Sequence, residues 1–313
     1  MQARLSQARE RVFRRADRGV LLYGVTPPRQ ATPADKAEEI ARATLARLAP
    51  VGLDALVLYD VDAEQERSDD ERPFPFVPMS DPFAFYIDHL GEWAKPVVIY
   101  RAVAKYEPEQ LRQWMADADS DRLLTVLVGS SSHRQKMRTS LPEAYQLHRA
   151  ASPQLGLGGV LIAERHAAKG DEHRRMLDKQ RQGSSFFISQ ICYDLDHTRN
   201  LLSDYAYTCR REGIEPTPVV LTLAPCGSAK TLDFMTWLGV DIPHWVRNDI
   251  MFSDDPLGES FDQCLASAQV LRRFCRRLGL PFGISVESVT NRKAEIEASV
   301  QLAVEIRAVL DGP

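Results

Sequence analysis

Eight short apolar runs recur along the 313-residue chain, and almost every gap between them holds a helix-length segment. The runs cover residues 20–25, 55–59, 96–100, 123–128, 159–163, 186–190, 218–223 and 281–286. Each is bounded by Gly, Pro or polar residues and reads as a buried strand. Strand and helix in alternation imply parallel neighbours joined by right-handed crossovers. Eight such units close most simply into a (β/α)8 barrel of the α/β class. An open doubly wound sheet is the competing arrangement. No low-complexity linker divides the chain, so residues 1–313 are expected to form one domain: a helix within 1–18, then a barrel over 20–310.

Thr32 is expected to cap the first crossover helix, with Pro33 at its first position. That helix would run to about residue 48, with Ile40, Ala41, Thr44, Leu45 and Leu48 on one face. Further helices are expected over 82–93, 107–116 (Pro108 at the start), 142–151, 171–182, 196–212, 228–238, 259–278 and 292–310, with a short one from residue 243. Gly213 is placed to close the helix before it. Gly156-Leu157-Gly158-Gly159 precedes a predicted strand instead of following one, which argues against a dinucleotide fingerprint.

Hydrophobic residues make up 44% of the chain and charged residues 26%, enough for a large core. The net charge of −4 argues against a nucleic-acid binder driven by phosphate contacts. No run reaches the roughly 18 apolar residues of a membrane span. The Arg-rich start has no signal-peptide core, and Glu10 and Asp17 make it an ordinary basic helix rather than a transit peptide. Five cysteines without a C-x-x-C pair point to no disulfide framework and to the cytoplasm. The seven histidines show no metal-binding spacing such as H-E-x-x-H, so no metal is expected.

A barrel of this type builds its site at the C-terminal ends of its strands. That rim would receive Gly24, Thr26, Tyr59, Asp60, Tyr100, Arg101, Gly129, Ser130, Glu164, His166, Gln190, Asp194, Ala224, Pro225 and Glu287. Gln190 can both donate and accept hydrogen bonds, either to a ligand or to backbone inside the barrel. Glu164 and His166 lie two apart, as do Asp60 and Asp62, and in an extended chain each pair would point the same way. Such pairs serve as acid, base or ligand contact, or are solvated loop charges. Ser130-Ser131-Ser132 offers backbone amides to an anion, or is an ordinary loop. Cys192 reads as a buried, inert thiol. Trp237 and Trp245 are expected to pack outer helices.

These motifs, taken in order, resemble the methylenetetrahydrofolate reductase family, whose members are flavin-containing (β/α)8 barrels of one-carbon metabolism. The resemblance spans roughly residues 20–310 and is strongest over 186–246. Ile188-Ser189-Gln190 with Asp194 resembles the family's Ile-Thr-Gln strand and following Asp. Leu223-Ala224-Pro225 resembles its Leu-Pro turn, and Ile242-Pro243-His244-Trp245 its Ile-Pro-x-Trp segment. Pro27-Pro28-Arg29, Glu164-Arg165-His166, Lys179 and Asn291-Arg292 are similar to further family positions. Two departures stand out. The family's acidic glutamate on the first strand is matched by Gly24. The Leu-Arg-Gly-Asp that ends its fourth strand is matched by Leu127-Val128-Gly129-Ser130, without the flavin-side Asp.

The resemblance implies an oxidoreductase that interconverts 5,10-methylenetetrahydrofolate and 5-methyltetrahydrofolate, with FAD relaying hydride from NAD(P)H. It implies Tyr59, Tyr100, Leu127, Gly129, Ser130, His166 and Lys179 on the cofactor side. Gln190, Pro225, Asn291 and Arg292 would lie on the substrate side. Opening the methylene bridge needs a proton at nitrogen, which Gly24 cannot supply; Asp62, Glu164 and Glu287 are the candidate substitutes, acting with Gln190. Two alternatives stay open: direct hydride transfer from NAD(P)H without flavin, and a non-catalytic folate- or flavin-binding partner subunit. The partner implied is a reduced folate, with self-association or a complex with another one-carbon protein also allowed.

Overall fold

The computed structural model describes residues 6–61, 70–129 and 137–312. Eight strands form one closed ring in chain order: β1 (Val20–Val25), β2 (Ala55–Leu58), β3 (Val97–Ala102), β4 (Leu123–Val128), β5 (Gly156–Leu161), β6 (Phe187–Ile191), β7 (Val219–Leu223) and β8 (Phe282–Glu287). β1 pairs in parallel with both β2 and β8, which closes the barrel and excludes the open sheet. The helices are α1 (Gln7–Phe13), α2 (Ala34–Leu48), α3 (Pro82–His89), α4 (Pro108–Asp117), α5 (Leu141–Ala151), α6 (Ala163–Lys169), α7 (Glu172–Arg181), α8 (Leu195–Glu212), α9 (Ala229–Trp237), α10 (His244–Phe252), α11 (Pro256–Leu278) and α12 (Lys293–Asp311). Among the described residues, no helix is long and apolar enough to cross a membrane.

Strand alternation sorts the side chains into two cores. Leu21, Leu56, Ile99, Leu123, Leu157, Phe187, Leu221 and Ile284 face outward against the helices. Leu22, Val57, Val98, Val126, Ile188 and Val220 face inward, where they meet Ala8, Val12 and Phe13 of α1. α1 therefore plugs the floor of the barrel. Ser6 caps it by accepting from the Arg9 amide, and the carbonyl of Ala16 just beyond it accepts from Phe282 of β8 at 2.7 Å.

The glycine run lies within β5, not ahead of it. Phe186 enters the floor, its ring 5.0 Å from that of Phe13. A Cβ on Gly158 would come within 2.4 Å of that ring, and one on Gly159 within 2.9 Å of Phe187 on the other face. Glycine is disfavoured in strands on general grounds, and here two rings from the neighbouring strand demand it.

Two other expectations shift. α2 begins at Ala34 with Pro33 at its cap position and no side-chain cap, so Thr32 is not the cap. Its buried face is Ala37, Ala41 and Leu48, while Ile40 turns towards solvent. The Glu164-Arg165-His166 stretch is the first half of α6, not extended chain.

Gly158→Ala should destabilise the protein by about 1–3 kcal/mol through overpacking of the floor. Adding Phe186→Leu should recover part of that loss in a denaturant titration. An unchanged midpoint for Gly158→Ala would show that the Phe186 ring does not hold that space.

Candidate functional site

The register of the closing seam sets the centre of the mouth. Gly24 is the partner of Glu287 across β1 and β8. Glu287 belongs to the strand itself, one residue past the expected end, and points inward as Gly283 and Ser285 do. A Cβ on Gly24 would lie 2.7 Å from the Tyr59 ring and 3.0 Å from the Glu287 Cβ. The absent side chain at position 24 thus makes room for a carboxyl group from the next strand. The Tyr59 hydroxyl donates to Glu287 Oε2. Tyr100 meets the Tyr59 ring edge-on at 4.9 Å.

Burial pushes the Glu287 carboxyl up to about 7, against the opposing pull of the Tyr59 hydrogen bond. Burial also raises both tyrosine hydroxyls, and the neighbouring Glu287 adds to the effect. A carboxyl poised near neutrality can hold a proton and release it, which is what a general acid requires.

Gln190 is placed by an irregularity. Ile188 pairs with Val220 but Ile191 pairs with Thr222, so β6 carries one residue more than β7 across this stretch. Ser189 Oγ takes the Thr222 amide at 2.8 Å and bridges the gap. Bulges of this kind re-aim side chains near sites. Gln190 Nε2 reaches the turn after α9 and donates to the Leu238 carbonyl at 2.6 Å. Its Oε1 remains as an acceptor at the partly open rim.

Beside it, Glu164 on α6 accepts from the Asp241 amide at 3.4 Å. Burial raises its carboxyl, backbone N–H groups oppose that, and the Asp241 carboxylate adds to it. His197 Nδ1 lies 3.4 Å from Asp241 and 3.8 Å from Asp194, the residue that caps α8. Cys192 is buried, and burial pushes its thiol up to about 11, which leaves it unreactive.

Several predicted rim residues have other work. Asp60 is not a solvated loop charge: its carboxylate pairs with Lys105, accepts from the Ala102 amide at 2.9 Å and lies 2.8 Å from the Tyr106 hydroxyl. Arg101 pairs with Asp81, the cap of α3, and stacks over Trp114 at 4.3 Å. Leu127 faces the outer helices, so only its backbone is turned to the rim. Gly129 follows β4, Pro225 is buried beside Ala224, and Asn291 and Arg292 are exposed ahead of α12. Asp62 and Ser130-Ser131-Ser132 lie outside the described residues. Trp237 packs as expected and donates to the Asp70 carbonyl at 3.0 Å, whereas Trp245 is 63% exposed.

Sequence reasoning missed a packing contact on α9: the Arg72 guanidinium lies 4.7 Å from the Phe234 ring and 5.2 Å from that of Trp237. Phe74 meets Phe234 edge-on at 5.3 Å. The only sequence signal for it is the set of aromatic residues among the prolines at 73, 75 and 78. Glu295 was missed too: fully inside, it accepts from Gly227 and Thr231 at 3.1 Å and from Thr290, tying the loops after β7 and β8 together.

Two of the residues given to a flavin, His166 and Lys179, are engaged away from the mouth. In a helix, residues two apart diverge, and His166 turns away from Glu164 to place Nε2 3.2 Å from Asp204 on α8. Lys179 runs over the outer face of Gly159 and donates to the Val160 carbonyl, and burial brings its ammonium down to about 8. Tyr100 does face the mouth, with Tyr59 against it.

Among solved structures, an uncharacterized protein from Clostridium thermocellum that binds two copies of 5-methyl-5,6,7,8-tetrahydrofolic acid shares 35% identity with this chain. The match covers 93% of this chain and 95% of that one, with a TM-score of 0.83. Dihydropteroate synthases from Xanthomonas albilineans and Thermus thermophilus match at 14% and 15% identity, with TM-scores of 0.47 and 0.43. They cover 95% and 94% of this chain and the same shares of their own, and at that level nothing is argued from them. No protein-family model and no curated protein matches the sequence. The chain belongs to the family of the Clostridium thermocellum protein.

Glu287 holds its proton in the folded chain up to about pH 7, whereas an unfolded chain releases it near the ordinary value of about 4.3. Between those values the folded state binds the extra proton, so this residue's contribution to stability falls as pH rises through the window. Glu287→Gln keeps an acceptor for Tyr59 and removes the titration. Its melting temperature should gain on the parent at mildly alkaline pH and not in acid. Parallel melting curves across the window would refute the assignment.

Proposed function

We propose that this protein binds a reduced folate in the barrel mouth, between the Glu287–Tyr59 pair and Gln190. We further propose that it interconverts 5,10-methylenetetrahydrofolate and 5-methyltetrahydrofolate with NAD(P)H. The observation that carries the chemistry is the inward carboxyl of Glu287 in the space left by Gly24. The ligand class is supported by the 5-methyltetrahydrofolate bound to a relative aligned over almost the whole chain.

Glu287 and Gln190 divide the work. In the reducing direction the bond between the bridging carbon and N10 breaks. N10 takes the proton of Glu287, and a cationic iminium remains at N5. Hydride from the nicotinamide reduces that carbon to methyl, giving NAD(P)+, and Glu287 recovers its proton from solvent. A positioned acid contributes about 10²–10⁴-fold to such a step. Tyr59 orients the carboxyl and steadies the anion left after transfer. Gln190, held through its Nε2 by Leu238, offers Oε1 to a ring N–H of the folate or to the nicotinamide amide. Because His166 and Lys179 are engaged elsewhere, hydride is taken to pass directly between the two ligands.

Two assays test this: calorimetry with 5-methyltetrahydrofolate, and methylenetetrahydrofolate-dependent oxidation of NADH and NADPH with and without added FAD. The expected result is saturable folate binding, with turnover that needs no FAD and falls as pH rises through about 7, as the value for Glu287 requires. Glu287→Gln should keep binding and lose about 10²–10⁴ in kcat. No folate binding overturns the whole reading. Binding without turnover leaves a folate-binding partner subunit, and turnover only with FAD overturns direct transfer.

Gln190→Ala should raise the folate Kd more than it lowers the melting temperature. The reverse pattern would make the residue a structural clamp for the turn after α9.

A further inference from the structure

We propose that His166, His173 and Asp204 form a binding site for one divalent transition-metal ion, zinc being the member that fits best. The three residues come from α6, α7 and α8, on the helical layer outside the barrel and apart from the folate site. His166 and His173 are buried, 5% and 8% exposed, and their rings meet edge to face with centroids 5.4 Å apart. Nδ1 of each ring is buried with no hydrogen-bond partner among the described residues. A buried polar atom without a partner is costly, and a metal ion would satisfy at least one of them.

The donor atoms already converge. One ligand atom from each residue lies within 4.8 Å of the others, and His166 Nε2 is 3.2 Å from Asp204 Oδ2. Tetrahedral zinc with bonds of about 2.0–2.1 Å holds its ligand atoms roughly 3.3 Å apart. The His166–Asp204 spacing matches that edge. Asp204, whose side chain is 57% exposed, can adjust its position towards the two buried rings.

The donor set selects the ion. Two imidazole nitrogens and one carboxylate suit a borderline cation and not calcium or magnesium, which take oxygen cages. Three protein ligands leave a fourth position, which the exposed Asp204 side opens to water. All five cysteines are buried and none joins the cluster, so no thiolate competes. Arg174 and Arg211 are the positive charges that would oppose a bound cation, and the Arg211 guanidinium is turned to Thr208. The sequence shows no sign of the site because the ligands sit at 166, 173 and 204, on three helices, with no short motif.

The test uses the full chain, stripped with a chelator and then titrated with Zn2+ alone by calorimetry, with Co2+ as the visible probe. The expected result is one ion per chain, a rise in melting temperature with Zn2+, and Co2+ bands of a low-coordinate nitrogen–oxygen site. Asp204→Asn and His173→Gln should each weaken Zn2+ binding at least tenfold. Asp204 is exposed, so its variant remains informative should His173→Gln fold poorly. No saturable uptake overturns the proposal, and so does uptake that both variants leave unchanged. Neither result bears on folate binding, which is read separately.

Discussion

The interior of a closed eight-stranded barrel holds a fixed volume, and every ring admitted to it must be matched by a missing side chain nearby. Phe186 on the β6 side lies over Gly158 of β5. Tyr59 beyond β2 lies over Gly24 of β1, and Val20 of β1 lies over Gly283 of β8. At the floor this exchange makes the seat for Phe13 and the plug formed by α1. At the mouth it makes the pocket in which Tyr59 grips Glu287. One packing rule, applied at both ends, yields the floor plug and the buried carboxyl of the mouth.

The same rule explains how a carboxyl group reaches the mouth beside a first strand that carries only Gly24 there. Gly24 and Glu287 are register partners, and neighbouring strands lie about 4.8 Å apart. A carboxyl group on either position enters the same volume, and from β8 it enters from the side. It arrives with a hydroxyl partner and with enough burial to hold a proton near neutrality. His166 and Lys179 are turned to a carboxylate on α8 and to a strand carbonyl. Conserving residue types at aligned positions therefore says little about direction when the local chain is a helix or when a glycine opens the outer face.

The ring of strands was legible because short apolar runs between glycines, prolines and helix-length segments leave few alternatives. The helix stops at Gly213 and the helix start at Pro108 could be read for the same local reasons. What could not be read depended on a neighbour. The start of β5 was hidden because glycine speaks against a strand until the rings of Phe186 and Phe187 are in place. Gln190 lay at the rim as expected, but its direction comes from the extra residue in β6, which no alternation pattern announces. The pairing of Glu164 with His166 failed on geometry that was in reach, since Ala163 to Lys169 is a run of helix formers closed by Gly170. Asp60 looked like surface charge because Lys105 and Tyr106 approach it from the next strand's loop.

Seen as a chain that emerges from its N-terminus, the seam between β1 and β8 acquires a different meaning. β1 finds β2 early, but its other edge stays bare until the last strand arrives, and contacts of such long sequence separation are the slow ones to form. α1 fills the floor of the closed ring, and the bond from Phe282 to Ala16 can form only once β8 is in place. Gly24 and Glu287 lie on opposite sides of this final seam. A barrel short of its eighth strand therefore has a core and most of its helices but lacks the Glu287 carboxyl, and the Tyr59–Glu287 pair is complete only when the ring closes.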